Sequence, residues 1–248
     1  MARVRRRVCP SRAESLHDVD RLAQMVRRMG ISEGIPLSGA NLRPMTPKLP
    51  DPLVRLAGHL AQEPLTDVRD WAKPAGVLGT LTVHAGRAEV LVVVRPDTLR
   101  LHAGQPAFPG GSFEPADGNL WETALREARE EVGIRPDDVV RLGALPPVHI
   151  SVSGFTIRPW LAWAPRRPAL TPDPAEVVAT FWAELDELRT VHRRVPRESG
   201  GVRFITPEFP VRGVVIWGAT GRMLEYLLDW LSPGDQTELE RGAPWTSS

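Results

Sequence analysis

The sequence predicts an α/β (α+β) chain in which a mixed β-sheet carries helices packed on it. Three observations lead there. Strand candidates outnumber helix candidates, the helices sit at separated positions, and VLGTLTVHAGRAEVLVVV (77–94) forms a hairpin candidate. In that stretch two β-rich runs flank His84-Ala85-Gly86-Arg87.

The elements follow in chain order. SLHDVDRLAQMVRRMG (15–30) has Ser15 as a cap, Asp18 three residues on, and Leu16, Val19, Ala23 and Val26 on one face, which predicts an amphipathic helix. Pro36 to Pro52 is proline-rich without periodicity and predicts an extended connection. Leu53 to Ala61 predicts a second helix. The main domain is expected to begin near Pro74 with the hairpin, and a loop from Arg95 to Gly111 follows. Asn119 to Val132 predicts a helix, with Asn119 as N-cap, Glu122 completing a capping-box-like pair and Gly133 ending it. Strands are expected over Val139 to Leu145, Phe155 to Trp163, Val177 to Trp182, Val202 to Ile205 and Val211 to Trp217. Met223 to Leu231 places Leu224, Leu227, Leu228 and Leu231 on one face of a closing helix. The expected division is an N-terminal extension at 1–70, a main domain at 71–232 and a flexible tail at 233–248.

Composition narrows the function. The 248 residues are 42% hydrophobic and 25% charged, as in an ordinary globular protein. A net charge of +1 gives no general affinity for nucleic acid or membrane. Lysine occurs only at Lys48 and Lys73, so the cationic groups are almost all guanidinium. A single cysteine, Cys9, excludes an intrachain disulfide and a thiolate metal cluster and fits a cytoplasmic setting. No apolar run approaches the ~20 residues of a membrane helix. The basic start MARVRRRVCPSR is followed by no signal-peptide apolar core.

The stretch PGGSFEPADGNLWETALREAREEVGI (109–134) carries the chemistry. Residues three and four apart share a helix face, so Glu127, Glu130 and Glu131 cluster there, with Arg126 in reach of Glu130. They lie in the C-terminal turns, where the helix dipole is already negative. Each like-charge contact costs about 0.2–0.5 kcal/mol and each misplaced charge about 0.3–1 kcal/mol, which a solvated helix tolerates. The surroundings favour a ligand. Carboxylate oxygens suit a hard divalent cation such as Mg²⁺ or Mn²⁺, and Pro109-Gly110-Gly111 lets the backbone approach a metal or phosphate. Oxygen ligands, a glycine turn and nearby arginines together suit phosphoryl chemistry.

These residues resemble the Nudix hydrolase box, which runs glycine, five residues, an acid, about seven residues, then Arg-Glu-apolar-x-Glu-Glu-x-Gly-apolar. The chain has Gly111, SFEPA, Asp117, GNLWETAL and REAREEVGI. Asp117 stands for the usual glutamate, the second spacer has eight residues, and Ala128 is small at the apolar position. Upstream, RPDTLRLHAGQPAFPGG (95–111) is similar to the loop that precedes the box in coenzyme A diphosphatases of this superfamily. Arg95, Leu99, Arg100, His102, Gly104, Gln105 and Phe108 to Gly111 fall in register, while Pro96 and Pro106 replace the usual serine and aliphatic. VIWGATGRML (215–224) is similar to the closing motif of that group.

The resemblance implies a Nudix fold, a mixed sheet sandwiched between helices, and water attack on a nucleoside diphosphate. For coenzyme A the products would be 4′-phosphopantetheine and adenosine 3′,5′-bisphosphate. Glu127 and Glu131 would be the main metal ligands, with Glu130 completing the site and the Gly111 carbonyl a further ligand to Mg²⁺ or Mn²⁺. Arg126 would orient the carboxylates. Glu127 is the preferred general base, with Glu176 or Glu184 as the alternative. Arg95, Arg100, His102, Gln105 and Gly110 would contact substrate, and Trp217 is a candidate border of an adenine pocket. The expected partner is a small-molecule nucleoside diphosphate, with no nucleic acid and no membrane; a homodimer is left open. Two alternatives stand beside coenzyme A: another Nudix substrate (NADH, ADP-ribose or a nucleoside di- or triphosphate), or a non-catalytic nucleotide sensor.

Overall fold

A β-hairpin anchors the molecule. In the computed structural model, which describes residues 49–60, 71–96, 104–151, 153–199 and 201–242, strand β1 (Lys73–His84) turns through Ala85-Gly86 into β2 (Arg87–Val94). Both turn residues have positive φ, 48° and 73°. That backbone twist suits two antiparallel strands joined by two residues.

β1 is the middle of an eight-stranded mixed sheet among the described residues. It pairs in parallel with β7 (Phe155–Trp163) and antiparallel with β2 and with β4 (Gly110–Ser112). β8 (Ala179–Glu184) extends the sheet beyond β2, β3 (Pro106–Ala107) pairs with the end of β2 on the edge that β1 also uses, and β5 (Val140–Ala144) and β6 (Val148–Ile150) pair with β7. Nine consecutive residues of β1, Gly76 to Val83 with Ala75, are buried, so both faces of this strand are covered. One face packs on α2 (Leu120–Val132) through Leu78, Leu91 and Trp160 against Ala124, Ala128 and Val132. The other packs on α1 (Asp51–Leu60) and α4 (Gly218–Trp230), with Leu53, Leu56, Leu224 and Leu227 fully buried. This is the expected mixed sheet between helices. A second, antiparallel sheet has the order β11-β10-β9: Val214–Trp217, Val202–Val211 and Arg193–Ser199.

Several expectations are corrected. The described residues fall in a unit spanning Pro47–Ser248, and α1 packs into its core, so residues 51–60 do not belong to a separate extension at 1–70. The expected tail at 233–248 holds α5 (Pro233–Arg241), capped by Ser232, whose Oγ accepts from the Asp235 N–H at 3.1 Å. A single buried leucine, Leu239, the buried Gln236, whose amide donates to Asp186 at 2.7 Å, and ion pairs from Arg55 to Asp235 and Glu238 at 2.6 Å hold it, so no apolar stripe announces it. The expected strands at 202–205 and 211–217 are instead β10 and β11, separated by the Arg212-Gly213 turn. Pro207 and Pro210 inside β10 obscure its continuity, because proline cannot donate to a ladder. α3 (Leu185–Val191), β9 and the short β3, β4 and β6 are additional. α4 begins five residues before the expected Met223, across a glycine-rich turn of low helix propensity. The expected helix at 15–30 and most of the proline-rich connection lie outside the described residues. No helix among the described residues is long and apolar enough to cross a membrane.

Candidate active site

The box helix α2 starts and stops as its sequence dictates. Asn119 Oδ1 accepts from the N–H groups of Trp121 and Glu122 at 3.0 and 3.1 Å. Glu122 reaches back one residue further than a capping box requires, accepting from the Gly118 N–H at 2.9 Å and from the Asn119 side chain at 2.9 Å. At the other end Gly133 is left-handed, φ 77°, and its N–H caps the last turn.

This helix lays Glu127 and Glu131 against the glycine turn. The Gly110 N–H donates to Glu131 Oε2 at 3.1 Å. A Cβ on Gly111 would lie 2.4 Å from Glu127 Oε1, so only glycine lets this backbone meet the carboxylate. Gly110 has φ 155°, and a Cβ there would meet the Gly76 carbonyl oxygen at 2.5 Å and Val77 Cα at 2.6 Å. Those are backbone atoms that cannot step aside. Gly110→Ala is therefore expected to destabilise the fold by about 2–4 kcal/mol, measured as a lower melting temperature.

Glu176 arrives from a distant loop. Thr171 N–H donates to the Val132 carbonyl at 2.9 Å and Asp173 N–H to the Glu131 carbonyl at 2.9 Å, pinning that loop to the end of α2. Oxygens of Glu127, Glu131 and Glu176 then lie within 4.8 Å of one another. Glu131 is 1% exposed, and its Oε1 accepts no hydrogen bond from the described residues. Arg95 Nη2 stands 3.6 Å from that oxygen. Burial pushes the Glu131 carboxyl up from 4.5 to about 7, against the pull of Arg95 and the Gly110 N–H and with the push of Glu127 and Glu176. Burial also raises Glu127, and Arg126 opposes it.

Arg126 ties the acids together. Its Nε and Nη2 donate to Asp117 at 2.9 and 3.1 Å, and its Nη1 donates to Glu127 at 2.9 Å and to Glu130 at 3.1 Å. Nη2 also donates to the Ser112 carbonyl at 3.0 Å. These bonds hold the Asp117 carboxyl below its ordinary value, helped by the Glu114 N–H and the Thr123 hydroxyl.

Residues 73–202 match the family model described as the NUDIX domain. The chain belongs to the Nudix family. It is similar to an uncharacterized Nudix hydrolase, NudL, of Pectobacterium atrosepticum, with 41% identity over 124 residues covering 50% of this chain and 64% of that protein. It is also similar to a probable nudix hydrolase of Schizosaccharomyces pombe, with 31% identity over 172 residues covering 68% and 60% of the two chains. The chain thus spans about three fifths of the length of these curated relatives. Among solved structures it is similar to a MutT/nudix family protein from Enterococcus faecalis, TM-score 0.44 and 14% identity over 95% of this chain and 81% of that one. It is also similar to the NUDIX domain of Shewanella oneidensis NrtR complexed with ADP ribose, TM-score 0.41 and 20% identity over 54% and 86%.

Within this Nudix chain the predicted residues divide clearly. Glu127, Glu131, Arg126, Arg95, Gly110 and Gly111 come together, and Gln105 lines the cavity of about 450 Å³ that Arg95 and both glycines also line. Glu130 stands apart from the converging oxygens: half-exposed, it is held by Arg126. Glu176 takes the third place. Its sequence signal is faint, one acid in a proline-rich loop. Glu184 stands 3.9 Å from Arg87, outside the carboxylate group. Arg100 and His102 lie outside the described residues. A buried carboxylate oxygen without a donor, beside two further carboxylates, fits a hard divalent cation, because oxygen ligands are what such ions bind.

Proposed function

We propose that this chain is a Mg²⁺- or Mn²⁺-dependent hydrolase that cleaves the diphosphate of coenzyme A or its derivatives to 4′-phosphopantetheine and adenosine 3′,5′-bisphosphate. One observation carries the hydrolytic reading: Glu127, Glu131 and Glu176 converge beside the Gly110-Gly111 turn that lines the cavity. The choice of coenzyme A is supported by the loop RPDTLRLHAGQPAFPGG that enters the turn.

In this reading Glu127, Glu131 and Glu176 hold the cation. The cation, when bound, neutralises phosphate charge and supplies an activated water near neutral pH. Arg126 keeps the Glu127 carboxylate aimed by its 2.9 Å bond, and Asp117 keeps Arg126 in place. Arg95, beside Glu131 and 27% exposed, offers its remaining guanidinium donors to a phosphate. The glycine turn lets that phosphate lie against backbone. Glu127, whose carboxyl is raised by burial, is our choice of proton acceptor for the attacking water.

A substrate panel with Mg²⁺ or Mn²⁺ tests the reading. Coenzyme A is expected to be hydrolysed at least about tenfold more efficiently than NADH, ADP-ribose or nucleoside triphosphates, a difference of about 1.4 kcal/mol in transition-state binding. Robust cleavage of another compound with coenzyme A untouched would overturn the substrate, and no metal-dependent turnover of any compound would overturn the enzyme.

A further inference from the structure

The cavity beside the glycine turn is completed by residues outside the matched family region, which ends at residue 202. Trp217, Thr220 and Met223 line it together with Arg95 and Gly110. The small antiparallel sheet is built to hold Trp217. In its register Trp217 lies opposite Glu208, and Glu208 lies opposite Arg193. Arg197 is four residues beyond Arg193 and so points to the same face. Its guanidinium sits 4.3 Å from the Trp217 ring centroid, and its Nη2 donates to Glu208 at 2.7 Å. Its Nε is buried without a hydrogen-bond partner among the described residues. Arg193 also donates to Glu208, at 3.1 Å, so the three strands together contribute four side chains to a cluster in which Arg197 covers part of the indole.

An arginine that leaves one N–H unpaired in order to lie on an aromatic ring is placed for stacking. The described cavity wall is otherwise mostly apolar. Besides Trp217 its polar side chains are Arg95, Gln105, Ser112 and Thr220, and the first three lie in the segment 95–112 around the glycine turn. The amides and the hydroxyl of a pantetheine arm would need hydrogen-bonding partners at several points along it. A flat heterocycle needs a ring to lie on, and any base offers a π-face.

We infer that Trp217 is the stacking surface for the base of the substrate nucleotide, and that Arg197, itself held by Glu208, is a positioning residue that fixes the indole from one side. The base pocket would then be supplied by Trp217 and α4, beyond the matched region, and the acids by residues within it. This rests on the nucleoside diphosphate reading above.

The two product halves separate the alternatives. Binding of adenosine 3′,5′-bisphosphate and of 4′-phosphopantetheine is measured by calorimetry on the wild type, Trp217→Ala and Trp217→Phe, with melting temperatures as the control on folding. Trp217→Ala is expected to weaken the nucleotide roughly tenfold or more, with 4′-phosphopantetheine changed less than about twofold. Trp217→Phe, which keeps an aromatic face, stays within about threefold for both. Arg197→Met raises KM for the full substrate about three- to tenfold with a smaller change in kcat, and Arg197→Lys recovers part of the loss. Weakening of the 4′-phosphopantetheine arm instead, or a nucleotide affinity indifferent to Trp217, overturns the inference. If coenzyme A proves not to be cleaved, the substrate reading fails on its own, and the nucleotide arm still decides the base pocket.

Discussion

Glu131→Gln is expected to reduce turnover roughly a thousandfold and, at the same time, to raise the melting temperature of the metal-free protein. The first effect follows from the loss of a charged oxygen from the converging group of three. The second follows from burial. Glu131 is 1% exposed, accepts one hydrogen bond from Gly110 and leaves Oε1 with none from the described residues. An amide keeps the bond to Gly110 and removes a charge that the folded state holds at a cost.

The pH dependence fixes the sign. Folding raises the Glu131 carboxyl from 4.5 to about 7, so the folded state binds its proton more tightly than the unfolded state does. The stabilising contribution of that proton is complete below 4.5 and is lost as the pH rises through about 7. It amounts to roughly 3 kcal/mol of differential interaction. Melting in EDTA should therefore show the wild type losing stability between pH 5 and pH 8, with Glu131→Gln flatter and higher by roughly 4–10 °C at pH 8. Added Mn²⁺ should raise the wild-type melting temperature at pH 8 and leave the variant nearly unmoved. A variant less stable than the wild type in EDTA at pH 8 would mean that the buried carboxylate is not strained.

How much of this was legible before the structure depends on where each contact comes from. The β1–β2 hairpin and α2 are local objects, with caps, turn residues and periodicity inside their own segments, and they fall where the sequence predicts them. The Glu127–Glu131 pair is local too, being one helical turn apart. Glu176 is not. It reaches the site because backbone groups at Thr171 and Asp173 bond to the end of α2, and nothing around Glu176 in the sequence records those bonds. Glu130 shows the converse: the spacing places it beside its neighbours, while its carboxylate pairs with Arg126 at 3.1 Å, a contact that the helical period does not distinguish from convergence on the other acids. β3 and β4, two and three residues long, are too short to show a strand period. α5 is held by one leucine, the hydrogen bonds of a buried Gln236 and a set of ion pairs, which hydropathy does not register.

Arg126→Met should be the most destabilising change among the charged residues of the site, by about 2–4 kcal/mol, or roughly 5–15 °C in melting temperature. Exposed ion pairs contribute little, because solvent screens them and the side chains lose freedom. Asp117 is a different case. Its carboxylate is buried, and both Asp117 oxygens accept from Arg126 at 2.9 and 3.1 Å. Methionine would leave that carboxylate charged with only the Glu114 N–H and the Thr123 hydroxyl as donors. Adding Asp117→Asn to Arg126→Met should therefore recover about 1–2 kcal/mol, which an additive pair of surface changes would not do. The pH dependence runs opposite to that of Glu131. Folding lowers the Asp117 carboxyl, so the contribution of the pair is present above the ordinary aspartate value and is lost as the pH falls through the depressed one. The stability gap between wild type and Arg126→Met should accordingly close in acid and stay open at neutral pH. A gap below about 0.5 kcal/mol at pH 7 would identify Arg126 as a surface charge. The predicted gap instead explains how aspartate, one methylene shorter than glutamate, serves at position 117: it need only meet a guanidinium that Ser112, Glu127 and Glu130 already hold from the other side.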